Sequence, residues 1–180
     1  MKRLRLIWII IFVTVGFNTF AQTEKHIAFI PLAIGNYWIY STTSKSHPFD
    51  TLRIVGIKVI DGDSAFLFDN GSLMFERNDS VFDYQSQWES GLFKCFQYFP
   101  SDKELYYSIF VGGDVIIGRA VSKIQGQYKL NGIEYSNCYK FLDGYQGVSN
   151  NEIICRGIGI IRTEREDGYV RTLVEYKVTE

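Results

Sequence analysis

Histidine is almost absent. His26 and His47 are the only two in 180 residues, too few for a three-histidine zinc centre, and neither is placed for a Ser-His-Asp triad. His26 precedes the first strand signal and His47 stands in a turn before Pro48, so both are expected in solvent. Alanine is nearly as scarce, at positions 21, 28, 33, 65 and 120. No dozen consecutive residues carry the i, i+3, i+4, i+7 apolar spacing of a surface helix, and only Tyr84 to Ser90 could hold a helical turn. The three prolines, Pro31, Pro48 and Pro100, each adjoin a turn or a strand start, where a missing N–H does little harm.

Other absences narrow the function. Lys and Arg together number 19 against 20 acids, for a net charge of −1, and they are scattered, so the basic cluster that tracks phosphates is missing and nucleic acid is not an expected partner. Most Asp and Glu residues fall in turns, where they serve the backbone, so a paired-carboxylate glycosidase is not indicated. Asp61-Gly62-Asp63-Ser64 lacks the further oxygens and distal Glu of a calcium loop and reads as a hairpin turn. No constellation forms a catalytic signature. The expectation is a protein that is not an enzyme and carries no cofactor or metal.

Aromatic residues, in contrast, are abundant, with 3 Trp, 12 Tyr and 14 Phe, and together with the shortage of alanine they favour strands. Turn signals recur at short intervals: Asp61-Gly62-Asp63, Asp69-Asn70-Gly71-Ser72, Asn78-Asp79-Ser80, Gly112-Gly113-Asp114, Asn131-Gly132 and Asp167-Gly168. Between them lie alternating runs, clearest where Val170, Thr172, Val174, Tyr176 and Val178 share one face and Arg171, Glu175 and Lys177 the other. Ile133, Tyr135, Tyr139 and Phe141 repeat the pattern against Glu134, Ser136 and Lys140. Further strands are read around 36–45, 51–60, 64–69, 72–77, 80–85, 91–99, 104–111, 115–124 and 153–164. The predicted fold is all-β with little helix: a single antiparallel meander of about ten strands forming a strongly curved sheet or barrel, which would protect its edges.

At the N-terminus, Lys2, Arg3 and Arg5 precede an apolar run from Leu6 to Phe17, and Thr19-Phe20-Ala21 supplies the small residues of a signal-peptidase site. The run falls short of the roughly 20 residues that cross a bilayer as a helix. Residues 1–21 are therefore read as a signal peptide cleaved after Ala21. Residues 22–180 form one exported β domain, periplasmic or extracellular, without a transmembrane anchor. No cysteine directly follows the apolar run, the first being Cys95, so a lipid anchor is not expected. Gln22 to Phe29 reads as a lead-in before the fold proper.

Cys95, Cys138 and Cys155 would all enter an oxidising compartment, and an odd count permits one disulfide and a free thiol. A hairpin centred on Gln146-Gly147 would set Cys138 opposite Cys155. Cys138 shares a strand face with Glu134, Ser136 and Lys140, so the alternative is a pair of ordinary semi-buried thiols.

The segment Pro31-Leu32-Ala33-Ile34-Gly35-Asn36-Tyr37-Trp38-Ile39-Tyr40 resembles the opening strand of uncharacterised small exported β-proteins of the Bacteroidota, which begin Pro-Leu-x-x-Gly-Asn-x-Trp-x-Tyr. Gly157-Ile158-Gly159 is similar to that group's C-terminal Gly-x-Gly strand. The resemblance implies export and a β fold, with no assigned activity, and marks Pro31, Gly35, Asn36, Trp38, Tyr40, Gly157 and Gly159. A looser similarity is to lipocalin-like barrels, which open with Gly-x-Trp. Physically, Gly35 and Asn36 permit a tight entry to the strand, and glycines at 157 and 159 leave room for a ring. Trp38 would then either cap the core on that backbone or border a ligand pocket.

Aromatic residues of both strand parities crowd the middle of the chain, and Phe96, Tyr98, Tyr107, Tyr135 and Tyr139 are the candidates to line an apolar surface. The leading expectation is an exported, non-enzymatic β-domain that binds an apolar, lipid-like molecule or an envelope protein. The alternative is a structural or protein-interaction domain with no small-molecule pocket.

Overall fold

The computed structural model describes residues 28–60, 62–77, 80–84, 93–98, 105–110, 116–145 and 148–179. The signal segment with its cleavage site, His26 and residues 85–90 of the candidate helical turn lie outside them. Fourteen strands follow one another: β1 (Tyr37–Thr42), β2 (Phe49–Ile60), β3 (Asp63–Phe68), β4 (Leu73–Arg77), β5 (Ser80–Tyr84), β6 (Phe93–Tyr98), β7 (Leu105–Phe110), β8 (Ile116–Lys123), β9 (Tyr128–Leu130), β10 (Ile133–Tyr135), β11 (Cys138–Tyr145), β12 (Val148–Cys155), β13 (Gly159–Arg165) and β14 (Val170–Lys177). No helix occurs among the described residues.

Three runs expected as single strands are broken. Residues 36–45 end as a strand at Thr42. The run 133–141 is interrupted at Asn137, whose φ of 53° lies in the left-handed region, a conformation that Asn tolerates and a strand does not. The run 153–164 turns at Arg156 to Ile158, where the Ile158 amide donates to the Cys155 carbonyl at 3.1 Å.

Twelve strands form one antiparallel sheet in the order β6-β5-β4-β3-β2-β1-β14-β13-β12-β11-β8-β7, with β9 and β10 as a separate hairpin. This corrects the single meander: β1 to β6 make one meander, and the rest of the sheet is attached through the ladder between the first and last strands. β6 and β7 stand at the two ends with no ladder between them among the described residues, so the order is open and not a closed barrel.

Local chemistry accounts for the connections. Leu130 pairs with Ile133 across Asn131 and Gly132, whose φ values are 50° and 80°, as a two-residue type I′ turn demands. At the turn after β3, Asn70 Oδ1 accepts from the Ser72 amide and hydroxyl at 3.0 and 2.7 Å. At the last turn, Asp167 Oδ1 accepts from the Tyr169 amide at 3.0 Å.

On β14 the burial differs from the alternation read in the sequence. Val174 and Tyr176 are exposed, whereas Leu173 is buried. A bulge accounts for Val174 and Leu173: Ile39 faces Glu175 but Tyr40 faces Leu173, so Val174 is the extra residue and inside and outside exchange from there toward Val170, while Tyr176 stays opposite Trp38. Ile133, expected on a buried face, is 55% exposed.

Phe29, the last residue of the lead-in, also belongs to the core. Phe29 is completely buried; its amide donates to Glu76 Oε2 on β4 at 2.9 Å, and its ring meets Tyr139 on β11 edge-on at 5.3 Å between centroids. It shares one core cluster with Ile30, Trp38, Ile54, Phe68, Ile154 and Leu173.

Candidate functional site

The two motif segments meet. Trp38 and Tyr40 are buried neighbours on one face of β1, both at 2% exposure. The Trp38 indole N–H donates to the Ile158 carbonyl at 2.6 Å, and the Tyr40 hydroxyl donates to the Ile160 carbonyl at 3.0 Å. Two side chains spaced by two residues thus reach two carbonyls with the same spacing. Gly159, between them, has φ of +100°, and a Cβ there would lie 3.5 Å from Trp38 Nε1. The Gly157 amide donates to the Ala28 carbonyl at 2.8 Å.

Asn36 has a larger role than strand entry. It is fully buried, and its Nδ2 donates to the Pro31 carbonyl at 2.7 Å. Its Oδ1 accepts from the Thr179 amide at 2.8 Å and from the Thr179 hydroxyl at 2.9 Å. One amide therefore ties the entering chain to the end of the described chain. Gly35 donates its amide to the Ile54 carbonyl at 2.9 Å, which fixes the turn against β2.

The Tyr40 ring lies under the Arg171 guanidinium, 3.7 Å from Cζ to the ring centroid. Burial raises the pKa of the Tyr40 hydroxyl, and Asp50 and Glu152 add to this while Arg171 opposes it. The hydroxyl is therefore a neutral donor. The space bordered by Ile30, Trp38, Tyr40, Leu52, Phe68, Met74, Gly159 and Ile160 amounts to about 30 Å³. That holds about one water molecule, whereas ligand pockets run to roughly 300–1,000 Å³.

The residues expected to line an apolar surface fall on four different strands. Phe96 and Tyr98 are on β6 and Tyr107 on β7, at opposite ends of the order, with side chains outside the described residues. Tyr135 and Tyr139 are buried, Tyr135 on the separate hairpin and Tyr139 against Phe29.

Cys138 and Cys155 form a disulfide. They are paired directly across β11 and β12, 4.0 Å apart between Cα atoms. Both are buried, in contrast to the solvated face expected around Cys138. The break at Asn137 removes Cys138 from the alternation of Glu134 and Ser136.

Next to the disulfide, on the same side of β11 and β12, is a groove of about 340 Å³ lined by Ile124, Tyr128, Lys140, Asn151, Ile153, Arg162 and Glu164. Its floor follows from register. Lys140, Ile153 and Arg162 form one cross-strand row, and Leu142, Asn151 and Glu164 form the next. Tyr128, from the β9–β10 hairpin, makes a wall. Arg162 Nε donates to Glu164 Oε1 at 2.7 Å. Burial raises the pKa of Tyr128, an effect that Arg162 opposes and Glu164 reinforces. Asn151 Oδ1 is buried without a hydrogen-bond partner. Sequence reasoning missed this site, whose members are separated by up to forty positions and carry no motif.

Among the described residues no helix is long and apolar enough to cross a membrane, and no group of three or more His, Cys, Asp or Glu could hold a metal ion. No family model matches the chain, and neither does any curated protein. A crystal structure of a protein described as a "putative lipoprotein" from Parabacteroides distasonis is similar at a TM-score of 0.40 and 10% identity, over 86% of this chain and 100% of that one.

Proposed function

We propose that this chain is an exported, non-enzymatic β-domain that meets another component of the cell envelope through its outer surface and encloses no apolar ligand. The observation that carries the reading is the filling beside Trp38. Ile30, Phe68 and Gly159 close in until about 30 Å³ remains, which no lipid chain enters. This speaks against a carrier that encloses an apolar ligand beside Trp38 and leaves the outer surface as the place of recognition.

Export is supported from two directions. Lys2, Arg3 and Arg5, the apolar run and Ala21 have the order of a cleaved leader. The Cys138–Cys155 disulfide belongs to chemistry that persists in oxidising compartments. The similarity of the Gly-Asn-x-Trp-x-Tyr strand to exported Bacteroidota proteins agrees with both.

In the same reading, the sheet bends about Phe29. β4 and β11 are seven strand spacings apart in the order, about 33 Å if flat, yet Phe29 touches Glu76 on one and Tyr139 on the other. Among the described residues, Phe29 fills the space between those two strands.

Solvent extraction of the purified mature protein, followed by mass spectrometry, tests the proposal. No stoichiometric lipid is expected, and N-terminal sequencing should begin at Gln22. One lipid per chain, or a cytosolic product with Met1 intact, would overturn it.

A further inference from the structure

We propose that the groove between Tyr128 and the β11–β12–β13 floor binds a single acidic sugar ring, a pyranose bearing one carboxylate. This rests on the reading of an outer recognition surface and names what that surface takes.

Size comes first. About 340 Å³ lies at the small end of ligand sites, enough for one or two rings and too little for a folded partner's loop. Shape comes next. Adjacent strands are about 4.8 Å apart, so Lys140 and Arg162 stand roughly 10 Å apart with Ile153 between them. A ring seated over Ile153 has a cation at each side. Ile124, Ile153 and the half-buried Tyr128 offer apolar surface to its C–H faces. A tyrosine ring suits an amphipathic ligand of this kind.

The polar groups then select the chemistry. Arg162 is neutralised by Glu164, and the pair presents a planar edge of donors and acceptors. Lys140 has no acidic partner among the described residues, so the groove carries one uncompensated positive charge, fit for one carboxylate. Ring hydroxyls, which both donate and accept, match the Arg162–Glu164 edge. The ligand is thus flat-faced and hydroxylated, with a single negative charge.

The groove is also held rigid. Cys138 and Cys155 form the row next to Lys140 and Ile153, so the disulfide pins the two strands of the floor at that point.

Isothermal titration calorimetry of the disulfide-intact mature protein tests this, with D-glucuronate, D-glucose and the acetylated dipeptide Ac-Gly-Gly as probes. Glucuronate should bind, and glucose about tenfold more weakly, the worth of one charge-assisted hydrogen bond. Lys140→Gln should weaken glucuronate by about tenfold and leave glucose unchanged. Tyr128→Ala should abolish both, whereas Tyr128→Phe, which keeps the ring, should retain both; circular dichroism and the thermal midpoint verify that each variant folds. The proposal falls if neither sugar binds, if both bind equally, or if the dipeptide binds and glucuronate does not. Any of these with a lipid-free, exported protein leaves the outer-surface reading standing. Stoichiometric lipid would overturn that reading independently of the sugar result.

Discussion

The indole N–H of Trp38 and the carbonyl of Ile158 meet at 2.6 Å across 120 positions of sequence. The approach is possible because the next residue, Gly159, has no side chain and holds φ at +100°. The tryptophan and the glycine pattern, the two features most visible in the sequence, are thus halves of one packing unit that joins β1 to the start of β13. Gly159→Ala should destabilise by about 1–2 kcal/mol through backbone strain, because its Cβ would meet Trp38 at ordinary contact distance while φ would remain unfavourable. Urea denaturation measures the loss. An alanine variant as stable as the parent would show that the backbone relaxes there at no cost.

Asn36 makes a second long tie, to Thr179. Asn36→Ala would remove the partner of the Pro31 carbonyl and of the Thr179 amide and hydroxyl, and would leave a gap where the buried Asn36 side chain stood. Its expected cost is about 2 kcal/mol, since a lost buried hydrogen-bonding group costs about 1–3 kcal/mol and water reaches the exposed Thr179. Thr179→Ala removes only the hydroxyl bond and should cost about 1 kcal/mol. Equilibrium unfolding of the two variants gives the ranking, and equal losses would count against Asn36 as the hub.

Much of the sheet was legible because short-range chemistry decides it. Asn131-Gly132 sets a two-residue turn, Asp69-Asn70-Gly71-Ser72 and Asp167-Gly168 bond to their own backbone, and a hairpin centred on 146–147 yields the register that opposes 138 and 155. What escaped was non-local or one residue long. A period-two pattern cannot register the bulge that expels Val174 and buries Leu173. Neither does it foresee that Asn137 takes a left-handed φ and splits a run with good alternation. The β1–β14 ladder depends on the whole chain, and it turns two meanders into one sheet. Asn36 was visible as a motif residue, but its partner, Thr179, lies 143 positions away. The groove was invisible because Lys140, Asn151, Arg162 and Glu164 look like ordinary outward residues until register aligns them.

The disulfide closes a loop between residues separated by 17 positions. The double variant Cys138→Ala/Cys155→Ala should lose about 2–4 kcal/mol, chiefly because the unfolded chain regains that loop's freedom. Guanidinium unfolding with and without reductant measures the parent's dependence on the bond. The double variant should be indifferent to reductant. A parent equally indifferent would mean that the bond contributes nothing.

Tyrosine ionisation sets the alkaline limit. Burial raises the folded pKa of Tyr40, Tyr128 and Tyr135, and a hydrogen bond to Glu175 raises that of Tyr37. All four shifts act in one direction. Near pH 10 the unfolded chain releases these protons first, so the folded state binds more protons and its stability falls as pH rises. The contribution is fully present below the unfolded tyrosine pKa of about 10 and is lost above it as pH rises toward the raised folded values. For buried Tyr40 alone the slope is about 1.4 kcal/mol per pH unit. Tyr40→Phe should therefore be less stable at pH 7, by about 1 kcal/mol for the lost bond to Ile160. Between pH 10 and pH 11.5 it should lose stability less steeply than the parent. Urea midpoints across that range distinguish the two slopes, and parallel curves would remove Tyr40 from the alkaline transition.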